Sequence, residues 1–262
     1  MKLFALNALL FLGLSNAYGH DFWLEAKPFY SKLGQSVDIA IYVGEDMFGE
    51  SLPYIPERYS DFSYTSGNGR KKVSGELGRY PAGFIKPQQP GFYSVGYRSK
   101  ENMVTLSGEK FTNYLKAEGL DKIIAYRKQH QESDKSAKEI YSRCVKTIIQ
   151  IGNDPQIDYS RQLFNYTFEL TAIDNPYQKK IGESLTVKAT YQEKPLANTL
   201  ISAFTKEVPW EKQQVRSDNN GFATITLNRT GHWLIKSVEM IPSKRKGVNW
   251  ESFWASLTFQ IY

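Results

Sequence analysis

Residues 27–43, "KPFYSKLGQSVDIAIYV", return in altered form at 175–191 as "NPYQKKIGESLTVKATY". Pro28, Lys32, Gly34 and Ser36 match Pro176, Lys180, Gly182 and Ser184, each 148 positions further on. Phe29, Leu33, Val37 and Ile39 match Tyr177, Ile181, Leu185 and Val187 in kind. In both copies a glycine turn feeds a stretch with apolar residues at every second position, the pattern of a half-buried strand. A second pair agrees: "PGFYSVGYRS" (90–99) and "TGHWLIKSVE" (230–239) each set a glycine before an aromatic strand. The repeat predicts a mainly β chain of two related β-sandwiches, each of about 80 to 100 residues.

The second copy is the cleaner one. "TLISAFT", "KQQVRS", "GFATITLN", "HWLIKSVEM" and "SFWASLTFQIY" read as strands, and "SDNNG" (217–221) reads as a hairpin turn with Gly221 free to take positive φ. In the first copy, "GEDMFGESLPYIPERYS" (44–60) is rich in glycine and proline and predicts an irregular loop. Between the copies the composition turns helical. "SDKSAKEIYSRCVKTIIQIG" (133–152) predicts the strongest helix, with Ile140, Tyr141, Cys144, Val145, Ile148 and Ile149 on one face and Gly152 ending it. The expected layout is therefore a signal peptide at 1–19, a sandwich at 20–104, a helical hairpin insert at 105–160 and a sandwich at 161–262. Cys144 is expected as a small buried hydrophobe; as the single cysteine it forms no internal disulfide.

Lys2 followed by the apolar run Leu3–Leu14 is too short for a bilayer span of about 20 residues. It suits the apolar region of a secretory signal, roughly 7–15 residues long. Ala17-Tyr18-Gly19 then offers small residues at −3 and −1, so His20 is the expected first residue of an exported chain without a transmembrane segment. A formal charge of +6 is spread over loops such as "GRKKVSG" and "SKRKG" and over strands, with no basic stripe. Nucleic acid is therefore not an expected partner.

Three histidines are present: His20, His130 and His232. His130, in "RKQHQESDKS", is expected in solvent, and His232 on the outward side of a strand whose neighbour Trp233 points inward. A first-residue His20 differs, because its α-amine has a pKa of about 7.7–8.0 and yields its proton to a metal easily. That amine and the ring Nδ1 close a six-membered chelate on a divalent transition metal, and imidazole suits Ni, Co, Cu and Zn alike. Phe22 stands third in the trimmed chain, so the three-residue amino-terminal Ni/Cu motif is absent. Nucleophile-elbow, phosphate-loop, H-E-x-x-H and paired-cysteine motifs are also absent, and no enzyme activity is expected. A copper oxidase built on an amino-terminal histidine chelate would need a second imidazole beside His20. The contrasting expectation is a non-catalytic binding module for a glycan, peptide or envelope protein, with Tyr54, Tyr59 and Trp210 as a contact patch.

"GHDFWLEA", "GFYSVGYRS", "KFTNYLKAEGLDKIIAYRK", "IYSRCVK" and "NWESFWASLTFQ" together resemble an uncharacterised family of exported bacterial proteins labelled as periplasmic components of cobalt or nickel uptake systems. "HDFWLE" and "WESFWASLTF" are the most specific of these, and the likeness spans the chain from His20 onward. The resemblance implies a Gram-negative periplasmic location, two immunoglobulin- or transthyretin-like sandwiches, a metal-uptake membrane system as partner and a starting histidine that falls on His20. It also implies a second histidine on the strand "LIKSVEMIP", where this chain has Glu239. His232 would replace that ligand only if its strand turned it to the same rim, and a seven-residue spacing sets His232 and Glu239 on opposite faces. The expected metal residues are thus His20, Glu239 and His232.

Overall fold

The computed structural model describes residues 19–67 and 69–262; the expected signal peptide lies outside these apart from its last residue, Gly19. The first copy forms β1 (Asp21–Lys27), β2 (Tyr30–Ser31), β3 (Val37–Glu45), β4 (Phe48–Leu52), β5 (Tyr59–Ser66), β6 (Gly69–Lys72), β7 (Gly83–Ile85), β8 (Gly91–Ser99) and β9 (Asn102–Leu106). Two helices follow, α1 (Gly108–Ala117) and α2 (Asp121–Gln129), and then the long strand β10 (Ala137–Ile151) and β11 (Ile157–Asp158). The second copy contributes β12 (Phe168–Ala172), β13 (Ser184–Tyr191), β14 (Lys194–Pro195), β15 (Leu200–Thr205), β16 (Gln213–Arg216), β17 (Phe222–Thr226), β18 (Gly231–Pro242) and β19 (Trp250–Ile261). No described helix is long and apolar enough to cross a membrane.

The main path of the large sheet runs β6-β5-β8-β10-β19-β18-β15-β16. Its two halves mirror each other about the parallel pair β10 and β19, where Glu139 stands beside Trp250 and Thr147 beside Thr258. Two smaller sheets match in the same way: β1-β3-β4 with β7 also on β3, and β12-β13-β14 with β17 also on β13. The two glycine turns of the repeat, at Gly34 (φ 83°) and Gly182 (φ 91°), precede the equivalent strands β3 and β13. Exchanging two parallel neighbours needs a rotation axis parallel to the strands, and that rotation turns the large sheet over. The small sheets accordingly cover opposite faces of it. Leu24, Ile39, Tyr93, Val145 and Ile149 fill one core; Leu170, Val187, Ile235, Leu257 and Ile148 fill the other.

That arrangement overturns the helix expected at 133–152. Residues 137–151 are a strand buried on both faces, so apolar side chains are needed at successive positions and the pairs Cys144-Val145 and Ile148-Ile149 mimic helical spacing. Val145 and Ile149 enter one core while Ile148 enters the other, and β-branched Val145, Thr147, Ile148 and Ile149 suit the extended backbone. The 105–160 segment is therefore not a helical insert: only α1 and α2 are helical, and β10 belongs to the large sheet. Cys144 is buried as expected, though on a strand, and burial pushes its thiol up to about 11.

Two turn readings also change. Residues 44–60 are not irregular throughout: β3 and β4 form a hairpin whose turn residues Asp46 and Met47 take φ of 55° and 63°. Gly44 and Gly49 face each other across it, and a Cβ on either would run into the opposing backbone. These glycines permit close strand approach. "SDNNG" is no hairpin, because β16 pairs in the large sheet and β17 in the small one. Gly221 does take positive φ (79°), and Asp218 fixes the turn by accepting from the backbone of Asn220 and Phe222 at 2.8 Å each.

The first strand is held unusually. β1 has one backbone partner, β3, and its free edge crosses the large sheet near β10 and β19. Carbonyls on that edge accept from side chains: Leu24 from Thr258 Oγ1 (2.6 Å), Phe22 from Ser256 Oγ (2.8 Å) and His20 from Arg143 Nη1 (2.5 Å). An edge that would otherwise leave buried acceptors unmet is thereby satisfied. Lys236 of β18 adds an ionic tie, reaching Asp21 at 2.6 Å and Glu118, just past α1, at 3.1 Å. Burial alone would lower the Lys236 pKa, but Glu118 and Asp21 more than offset it and hold the ammonium charged.

Candidate functional site

Alternation along β10 puts Glu139, Tyr141 and Arg143 on one face, ahead of the core residues Val145 and Ile149. The start of β1 passes over these three residues, and α1 closes one side through Tyr114. The result is two adjoining cavities that share Tyr141 and Arg143. The smaller, 160 Å³, is also lined by Gly19, His20, Glu139, Tyr114 and Trp254. The larger, 560 Å³, opens past Phe22, Val43, Leu52 and Tyr97 towards Arg58 and Lys100.

Arg143 is 8% exposed. Its guanidinium carbon lies 4.7 Å from the Trp254 ring centroid, 5.2 Å from Tyr141 and 5.5 Å from Phe22. One of its five N–H donors goes to the His20 carbonyl; among the described residues no carboxylate forms an ion pair with it. Burial lowers its pKa, yet a guanidinium stays charged near neutrality. Glu139 is buried too, and its Oε1 accepts from Tyr114 (3.2 Å) and from Ser252 Oγ, which itself accepts from Trp254 Nε1 (3.1 Å). Burial pushes Glu139 up to about 7, against the hydrogen bonds and the Arg143 charge, which pull it down.

The three expected metal residues are not brought together. His20 is exposed at the rim of the smaller cavity. Glu239 is buried on β18 and paired with Lys122. Seven residues of β18 separate it from His232, about 23 Å at a rise of about 3.3 Å per residue. His232 packs on Phe29 (5.3 Å), and its Nδ1 lies 3.7 Å from Glu207. His130 is exposed beside Tyr126. Among the described residues, no group of three His, Cys, Asp or Glu side chains could hold a metal. The donor set therefore does not fit an enclosed metal centre, and no second imidazole joins His20 for copper oxidation. Tyr54 and Tyr59 are half-buried against the first core, 6.0 Å apart, so they form no exposed patch with Trp210, which stands 75% exposed after β15.

Reading 133–152 as a helix hid Glu139, Tyr141 and Arg143, although their i, i+2, i+4 spacing is the strand signal that would have grouped them. Among family models, that for "Domain of unknown function (DUF4198)" matches residues 17–239. Curated proteins offer no match. Among solved structures, the D0-D1 domain of Intimin aligns over 91% of this chain and 97% of its own, at 14% identity and a TM-score of 0.20.

Proposed function

This chain belongs to the DUF4198 family of unknown function, and we propose that it is an exported, periplasmic, non-catalytic protein that captures a divalent transition metal at His20 and hands it on. The supporting observation is the setting of His20: its carbonyl is clamped by Arg143 at 2.5 Å while its ring is exposed at the leading end of β1. Cleavage after Gly19 places the α-amine beside that ring on a backbone already held in place. Two nitrogen donors from the chain leave the remaining coordination positions to solvent or to a receiving protein. Such an open, exposed set favours exchange over storage. Glu139 is not among the ligands, because burial favours its neutral form and its Oε1 is already bonded.

The test is calorimetric titration of Ni²⁺ and Cu²⁺ into three proteins: one starting at His20, its His20→Ala variant, and the His20 protein acetylated on its α-amine. The trimmed protein is expected to bind at least about ten-fold more tightly than the other two, since both lose the chelate. Equal affinity in all three overturns the reading. A second reading, a binding module for a molecular ligand, is favoured by the 560 Å³ cavity, whose volume falls in the range of ligand sites.

A further inference from the structure

Arg143 does more than the His20 clamp requires. Its guanidinium offers five donors and uses one within the described chain, is about nine-tenths buried, and faces both cavities. The nearby acids do not neutralise it: Asp21 is bonded to Lys236, and Glu139 carries its proton up to about neutrality. Aromatic faces on three sides compensate the charge only partly. The geometry combines a fixed planar cation with apolar walls from Phe22, Val43, Leu52 and Tyr97.

We propose that the larger cavity binds a small organic monocarboxylate, with the carboxylate on Arg143 and the apolar body against Phe22 and Tyr97. A guanidinium fork matches a carboxylate in shape and charge. Of the charged residues lining the cavity Arg143 alone is buried, so its inner end takes a single negative charge. Arg58 and Lys100 stand at the exposed rim, Glu57 opposes them, and Glu101 is occupied by Arg245 through two contacts of 2.7 Å. The inference names a ligand class for the binding-module reading and is independent of metal capture.

Phenylacetate, phenylacetamide and inorganic phosphate are titrated into the full exported chain in metal-stripped buffer, followed by calorimetry and tryptophan fluorescence. Phenylacetate is expected to bind saturably and to perturb the emission of Trp254, which stacks on Arg143. Phenylacetamide and phosphate are expected to bind at least about ten-fold more weakly, as loss of a charge-assisted contact dictates. Arg143→Gln should abolish phenylacetate binding, and Lys194→Gln, exposed on β14 in the other small sheet, should leave it within about two-fold, because a distant solvent-exposed charge is screened. The proposal is overturned by equal binding of acid and amide, by phosphate binding as tightly as phenylacetate, by no binding of phenylacetate, or by Arg143→Gln folding and still binding. If Arg143→Gln does not fold, the acid–amide comparison on the unmodified protein decides. Metal titration of the same sample reports separately on His20.

Discussion

Arg143 and Trp254 are register neighbours across the parallel pair β10 and β19, and the guanidinium lies 4.7 Å from the indole centroid. The two residues stand on the strands about which the repeated halves exchange, next to the place where β1 begins. The candidate site is thus formed at the seam between the copies, with contributions from β1 and α1.

The side-chain clamp on β1 predicts a stability cost. Thr258→Val keeps the shape but removes the donor to the buried Leu24 carbonyl, at 2.6 Å. Leaving that acceptor unmet should destabilise the fold by about 1–3 kcal/mol. Urea unfolding of the variant should show a lower midpoint with an unchanged slope; an unchanged midpoint would mean the carbonyl finds another donor.

Glu139 predicts a pH dependence with a definite sign. Its pKa rises from an ordinary 4.5 to about 7 in the fold, so between these values the native chain keeps a proton that the unfolded chain has lost. Stability must therefore fall as pH rises through that window and level off above it, by up to about 3 kcal/mol. Glu139→Gln retains the acceptor for Tyr114 and Ser252 and should remove this component. Its stability advantage over the parent should grow from about pH 5 to about pH 8; a constant difference in thermal midpoint would contradict the assignment.

Lys146 and Glu169 form an ion pair at 2.7 Å on the second-core side of β10, nearly without solvent contact, with Thr171 at 2.9 Å from the ammonium. Lys146→Met alone leaves a buried carboxylate and should cost about 3–5 kcal/mol. Adding Glu169→Gln removes the stranded charge and should recover part of that loss. The comparison is made by guanidinium unfolding, and a double variant no more stable than the single would show that the charge is not what matters.

Gly44 and Gly49 predict that either glycine to alanine weakens the β3–β4 hairpin, since the added Cβ meets opposing backbone. A loss of about 1–3 kcal/mol is expected, as for overpacking elsewhere. Amide exchange along β3 and β4 should accelerate first; exchange that quickens equally in β13 and β14 would point to global unfolding instead.

The repeat was legible because local turn chemistry and period-two alternation recur 148 residues apart, and both are properties of short segments. Gly34 and Gly182, the strands after them, and the inward Trp233 followed from residue type alone. The burial of Cys144 was equally readable, since an apolar surrounding is implied by its neighbours whatever the backbone does. The state of 133–152 was not. A strand covered on both faces loses its alternation, and then successive apolar pairs fit a helix equally well.

That ambiguity concealed the candidate site, because Glu139, Tyr141 and Arg143 share a face only on an extended backbone. The expectation placed on His20 came from its position in the chain alone, whereas its clamp, its separation from Glu239 and His232, and its neighbour Arg143 were not legible there. Those relationships depend on β1 crossing near β10 and β19, a contact between residues more than a hundred positions apart. Sequence periodicity specifies which side of a strand faces inward. Which strands then meet is decided by how two small sheets bury their faces on one shared sheet, and that packing brought the Arg143 guanidinium to an aromatic cavity.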